Sequence, residues 1–121
     1  MPKQIAPSRS AARGPQLDRV FKALSDPTRR AVLARLCRGP AAVSELAGEA
    51  DMALPSFTQH LDMLEACGLV HSEKNGRVRT YQLDPKTLQL AETWLDEQRA
   101  IWSKRLDQLD TYLLSLKGKK P

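Results

Sequence analysis

The residues best suited to specific polar contacts fall into two short clusters. Ser56, Thr58, Gln59 and His60 stand almost side by side, and Lys74, Arg77 and Arg79 surround an Asn75-Gly76 pair. Hydroxyls and amides near a helix start suit hydrogen bonds to base edges and phosphates, and a Gln can pair bidentately with adenine. The backbone N–H groups of such a start also favour phosphate. Cations around a tight turn suit flanking phosphates or a minor groove. The expected chemistry is therefore recognition of a polyanion with readable edges. The sequence shows no Ser/His/Asp cluster, no paired catalytic carboxylates and no Gly-rich phosphate loop, so an enzyme is not expected. Taken alone, each cluster also fits a plainer role, as a solvated helix face or as charges protecting an edge strand.

The elements that must position these residues can be read around them. Val43, Leu46 and Ala47 line the inner side of a short helix over about 43–50. Pro55 opens the next helix, which reaches Cys67, because the missing proline N–H would be unpaired there anyway. Phe57, Leu61 and Leu64 repeat at i, i+4 and i+7 and anchor it inward. Ser56, Gln59, His60 and Met63 are left on the opposite face, with Thr58 at its edge. Gly68 stops the helix. Val70, Ser72 and Lys74, then Val78, Tyr81 and Leu83, mark two strands, and Asn75-Gly76 suits a type I′ turn between them. Two helices, a stop and a basic two-stranded ribbon make a winged helix-turn-helix, mainly α with a small β-hairpin.

Upstream, residues 1–15 lack periodicity and should form a disordered arm carrying Lys3, Arg9 and Arg13. Order should begin at Gln16, with Leu17, Val20, Phe21 and Leu24 at helical spacing. Asp26 then serves as N-cap and Pro27 as first residue of a second helix, which buries Ala31, Val32, Leu33 and Leu36 and stops before Gly39-Pro40. Arg29 or Arg30 is expected to touch phosphate at the edge of the interface. Asp84-Pro85 opens a fifth and last helix, about 85–116, which closes the domain spanning 16–116; residues 117–121 should fray.

That last helix carries a stripe through Leu88, Ala91, Leu95, Gln98, Trp102, Leu106, Leu109, Leu113 and Leu116, widened by Trp94, Ile101 and Tyr112. At ~1.5 Å per residue it would extend ~45 Å, longer than a domain of this size covers. A second copy is the expected cover. Leu17, Val20, Phe21 and Leu24 of the first helix should join Trp94, Leu95, Trp102, Leu106, Leu109 and Leu113 of the last in a homodimer. Two-fold symmetry would present two reading helices to two half-sites.

Composition agrees without deciding. The 121 residues hold 19 Lys+Arg against 14 Asp+Glu, a formal charge of +5 that favours an acidic partner such as double-stranded DNA. No stretch approaches the ~18 apolar residues of a membrane span, and the first residues lack a signal peptide's apolar centre. A cytoplasmic protein without a membrane partner is expected. Cys37 and Cys67 lack CxxC spacing and read as reduced, half-buried thiols. His71 reads as structural, and Asp62 and Glu65 as flanking groups able to pair with the wing cations.

Three segments resemble the ArsR-type winged-helix transcriptional regulators: Phe21 to Arg30 (FKALSDPTRR), Ser44 to Ala47 (SELA) and Thr58 to Val70 (TQHLDMLEACGLV). The likeness covers about residues 17–83. It implies a homodimeric repressor that binds an imperfect inverted repeat and leaves it when a signal arrives. In the family, the segment Ser56 to His60 would lie in the major groove and the first and last helices would form the dimer. The metal-sensing members' thiolate pair would fall on Ala42 and Ser44, and the last helix holds no His, so this chain is more similar to a non-metal branch. No metal or cofactor is expected, and the effector is left unnamed. Two other readings stay open: a thiol- or metal-responsive repressor using Cys37 or Cys67, and a winged-helix protein-interaction module without specific DNA binding.

Overall fold

A computed structural model describes residues 14–118. The first corner is set by capping. Asp26 accepts the Arg29 N–H at 3.0 Å and Pro27 occupies the first turn, so α1 (Gly14–Leu24) gives way to α2 (Pro27–Leu36) across Ser25 and Asp26 alone. That Arg29 N–H is the main cause holding the Asp26 carboxyl below the ordinary carboxylate value, with desolvation opposing it. Helix α1 takes in Gly14 and Pro15, which the sequence had suggested for the arm; residues 1–13, with Lys3, Arg9 and Arg13, lie outside those described.

After α2 come β1 (Ala41–Ala42), α3 (Val43–Gly48), α4 (Leu54–Ala66), β2 (Val70–Asn75), β3 (Val78–Leu83) and α5 (Pro85–Gly118). Glu45 reaches back to accept the Ala42 N–H at 3.0 Å, which starts α3 although Ala42 has no oxygen to return the bond. The five expected helices are all present among the described residues.

The wing differs from expectation in two ways. It belongs to a three-stranded antiparallel sheet ordered β1-β3-β2, with Ala41 opposite Tyr81 and Ala42 opposite Thr80. A two-residue strand has no alternation to read, and only β3 reveals it. The turn also moves by one residue. Asn75 pairs with Val78, leaving Gly76-Arg77 as the loop, and Gly76 has φ 66° while no described non-glycine residue has positive φ. This is the type II′ pattern, with Gly first, in place of the type I′ turn expected at Asn75-Gly76.

The core gathers Val20 and Ala23 of α1, Val32, Leu33 and Leu36 of α2, Leu46 of α3, and Phe57, Leu61 and Leu64 of α4. Leu69, Val70 and Tyr81 close it from the sheet, and Ala91 from α5. Val20 is fully buried here, so it packs the protomer and is withdrawn from the dimer surface. Ala31, expected inside, faces solvent on α2. The thiols also separate: Cys37 is exposed, whereas Cys67 is buried with its Sγ donating to the Leu64 carbonyl at 3.3 Å.

Gly68 occupies the tightest junction. Leu69 N–H returns to the Leu64 carbonyl and Gly68 N–H to that of Glu65, a helix stop that places Gly68 at φ 85°. A Cβ there would meet Thr87 Oγ1 at 3.1 Å and Gln16 Nε2 at 3.2 Å. The ends of α4, α1 and α5 thus converge on one glycine.

Helix α5 begins with Asp84 Oδ1 accepting the Lys86 N–H at 2.9 Å, while Asp84 Oδ2 lies 2.6 Å from His71 Nε2. His71 is exposed, and through this contact it ties β2 to the start of the helix. At 34 residues α5 extends about 50 Å. Only Thr87 and Ala91 along it are buried. Lys117 and Gly118, expected to fray, remain helical, and 119–121 lie outside the described residues.

Candidate nucleic-acid interface

Helices α3 and α4 form the helix-turn-helix, joined by Glu49 to Ala53. Burying Phe57, Leu61 and Leu64 turns the other side of α4 outward. Ser56 and Gln59 are exposed there, Thr58 and His60 half-buried, and Met63 faces solvent. The wing tip stands beside this helix with Lys74, Arg77 and Arg79 all exposed. A cleft of about 570 Å³ separates the two, with Thr58, Asp62 and Glu65 on its helix wall and Lys74, Arg77 and Arg79 on its strand wall. Val43, Leu61 and Tyr81 complete its lining. Burial, and then the Glu65 charge, raise the Tyr81 phenol above its ordinary pKa, so it remains a neutral part of that floor.

The cations differ in freedom. Arg79 Nη1 donates to Ser72 Oγ at 2.8 Å; Ser72 Oγ in turn donates to Glu65 Oε2 at 2.7 Å, and Ser72 N–H adds a bond at 3.1 Å. Glu65 therefore joins α4 to β2 and, through Ser72, steadies Arg79. Lys74 and Arg77 make no side-chain hydrogen bond or ion pair among the described residues, so a polyanion would meet them unspent. Lys74 lies across from Arg79 in the β2–β3 register, which concentrates positive charge on one wall.

Arg29 and Arg30 take different places. Arg29 is buried, with Nε donating to the Ala23 carbonyl at 2.8 Å and Nη2 to the Lys22 carbonyl at 3.1 Å. Its Nη1 lies 2.9 Å from His60 Nδ1. Such a side chain is a clamp between the α1–α2 corner and α4, and the expected phosphate contact is withdrawn for it. Arg30 is exposed and bonds the Leu24 carbonyl at 2.8 Å, and it keeps the candidate edge contact. Sequence reading missed the Arg29 clamp and the Ser72 hydroxyl through which Glu65 reaches Arg79. The partners in each lie on different elements, and only the Asp26-to-Arg29 capping spacing and the expected pairing of Glu65 with wing cations hinted at them.

On the other side, Phe21 packs edge-on against Trp94 with ring centroids 5.6 Å apart at 75°. Leu17, Phe21 and Leu24 are half-buried, while Trp94, Leu95, Trp102, Leu106, Leu109 and Leu113 are exposed. Among the described residues no three His, Cys, Asp or Glu side chains gather as a metal site. No described helix is long and apolar enough to cross a membrane.

Comparison with known proteins fits this geometry. A family model described as a helix-turn-helix domain matches residues 24–73. The HTH-type transcriptional regulator Rv2034 of Mycobacterium tuberculosis is 43% identical over 89 residues, which are 74% of this chain and 80% of that protein. The transcriptional repressor SdpR of Bacillus subtilis is 32% identical over 79 residues, 65% of this chain and 88% of that one. Among solved structures, the crystal structure of the ArsR family transcriptional regulator RHA00566 shares 53% identity at a TM-score of 0.70, covering 73% of this chain and 97% of that one.

Proposed function

Since the chain belongs to the ArsR family of winged helix-turn-helix transcriptional regulators, we propose that it acts as a homodimeric repressor at an imperfect inverted repeat in double-stranded DNA. The observation that carries this reading is the outward face of α4 set beside unspent wing cations. Ser56, Thr58, Gln59 and His60 enter the major groove, where Gln59 pairs with a base edge. Lys74, Arg77 and Arg79 hold the flanking backbone, and Arg30 adds a phosphate contact at the edge. The exposed stripe of α5, with Leu17, Phe21 and Leu24, supports the dimer contact. Two-fold symmetry then sets the two α4 helices about one turn of DNA, ~34 Å, apart.

The signal that lifts repression differs from the thiolate-bound metal of the founding members, because Ala42 and Ser44 stand where their thiolates would be. As a DNA-binding regulator it is proposed to act in the cytoplasm. Fluorescence anisotropy with DNA from immediately upstream of its own gene, in excess random competitor and across a salt series, tests the reading. Saturable binding that survives competitor and weakens with salt is expected. Binding abolished by competitor on that DNA and on genome-selected fragments would instead favour a protein-interaction module.

A further inference from the structure

We propose that Arg29 is a positioning residue that fixes the His60 imidazole as a one-way hydrogen-bond donor toward DNA, so that His60 recognises only acceptor groups. The outward half of this inference rests on the DNA-binding reading; the inward half does not.

The inward half follows from hydrogen-bond inventory. A guanidinium has five N–H donors, no acceptor, and keeps its charge. With Arg29 Nη1 at 2.9 Å, His60 Nδ1 must present its lone pair. The imidazole proton then resides on Nε2. The competing partner is Asp26, whose Oδ2 lies 3.8 Å from Nδ1, beyond hydrogen-bond reach. That oxygen is already occupied by the Arg29 N–H at 3.0 Å. Arg29 itself cannot swing away cheaply, because its Nε and Nη2 are held by the last carbonyls of α1.

The outward half follows from exposure. His60 Nε2 has no hydrogen-bond partner among the described residues. No partially or fully buried described side chain leaves an enclosed N or O unpaired, so this nitrogen reaches solvent. His60 lies one turn beyond Ser56, on the same stripe of α4. An imidazole free to change tautomer could read donors or acceptors. Locked as Nε2–H, it reads a phosphate oxygen, guanine N7 or O6, adenine N7 or thymine O4, and rejects the amino groups of cytosine and adenine.

The first test needs no DNA. Long-range ¹⁵N–¹H correlation spectra of the full chain should show His60 with a protonated Nε2 and a bare Nδ1. The chain has two His residues, so a His71→Gln variant assigns the signals. An Nδ1–H or tautomer-averaged His60 overturns the proposal. Removing Arg29 endangers the α1–α2 corner, so the binding arm uses His60 instead. In His60→Asn the amide oxygen replaces Nδ1 toward Arg29, but the outward donor is lost. In His60→Gln an amide N–H regains the Nε2 position. On the upstream DNA, His60→Asn should bind roughly ten-fold more weakly and His60→Gln should recover most of the loss. A loss confined to one base pair identifies a base acceptor, and an equal loss on every sequence identifies a phosphate. Wild-type affinity for His60→Asn overturns the outward role. If the wild-type chain binds no DNA while His60 shows Nε2–H, the DNA reading fails and the lock stands.

Discussion

The front of α4 and the outer half of α5 are both exposed, yet they are built in opposite ways. On α4 and the wing the outward polar groups are braced from behind: His60 by Arg29, and Arg79 by Ser72 and Glu65. On α5 beyond Ala91, Trp102 is 60% exposed and Leu109 51%, with no buried residue anywhere along that length. The first surface is finished. Water satisfies its donors until a polyanion displaces it, and the fold does not depend on that exchange. The second is the surface proposed above as half of an interface, because apolar area left in water forgoes ~25 cal/mol per Å² of burial. On that proposal, one chain carries a surface that waits for its partner and another that needs one.

The largest effect should come from breaking the second surface. Leu106→Glu combined with Leu113→Glu should leave the helical content of the domain in place but yield a monomer in analytical ultracentrifugation. Loss of the second reading head should weaken binding to a two-half-site DNA by about 10²–10⁴. A variant that stays dimeric would show that another face joins the protomers.

A substitution between the two surfaces should act on folding alone. Gly68→Ala places a Cβ against Thr87 and Gln16 at a backbone φ of 85°. It should cost about 1–3 kcal/mol in urea denaturation, through strain at positive φ plus the close contact. Affinity per folded molecule should be unchanged, because α4's outward face is not involved.

Within the reading surface, base and phosphate roles should separate. Gln59→Ala should relax discrimination at one base position by ~1–3 kcal/mol, whereas Arg77→Ala should weaken all sequences and lower the salt slope by about one. A uniform loss for Gln59→Ala would make it a phosphate ligand, and an unchanged slope would remove Arg77 from the contacts.

The sequence made local chemistry legible and left long-range chemistry hidden. Asp26-Pro27 and Asp84-Pro85 start helices where capping requires. The spacing of Phe57, Leu61 and Leu64 set which side of α4 is buried. The turn was found but displaced: Asn-Gly is the commonest hairpin pair, and the cross-strand register, which is not local, decided for Gly76-Arg77. Strand β1 exists only because β3 pairs with it. Arg29 looked like one more surface cation because its partners Ala23 and His60 lie on other elements. Val20 shared the helical spacing of Leu17, Phe21 and Leu24, and only the packed fold shows that it points into the core.

The smallest expected effect sits at the seam between wing and α5. The Asp84 carboxyl is held below its ordinary value of 3.8 first by the His71 side chain and then by the Lys86 N–H, with desolvation opposing. A carboxyl whose pKa is lower in the folded than in the unfolded chain binds fewer protons when folded. Its contribution is therefore fully present above the ordinary value and is lost as pH falls below it, through the lowered folded value. Asp84→Asn removes the ionised group at every pH. At neutral pH the variant should unfold at a slightly lower urea concentration than the wild type, and the gap should close as pH drops through the lowered folded value. A gap that stays constant with pH would mean that Asp84 serves α5 as a hydrogen-bonding cap that Asn cannot replace, with no contribution from its charge.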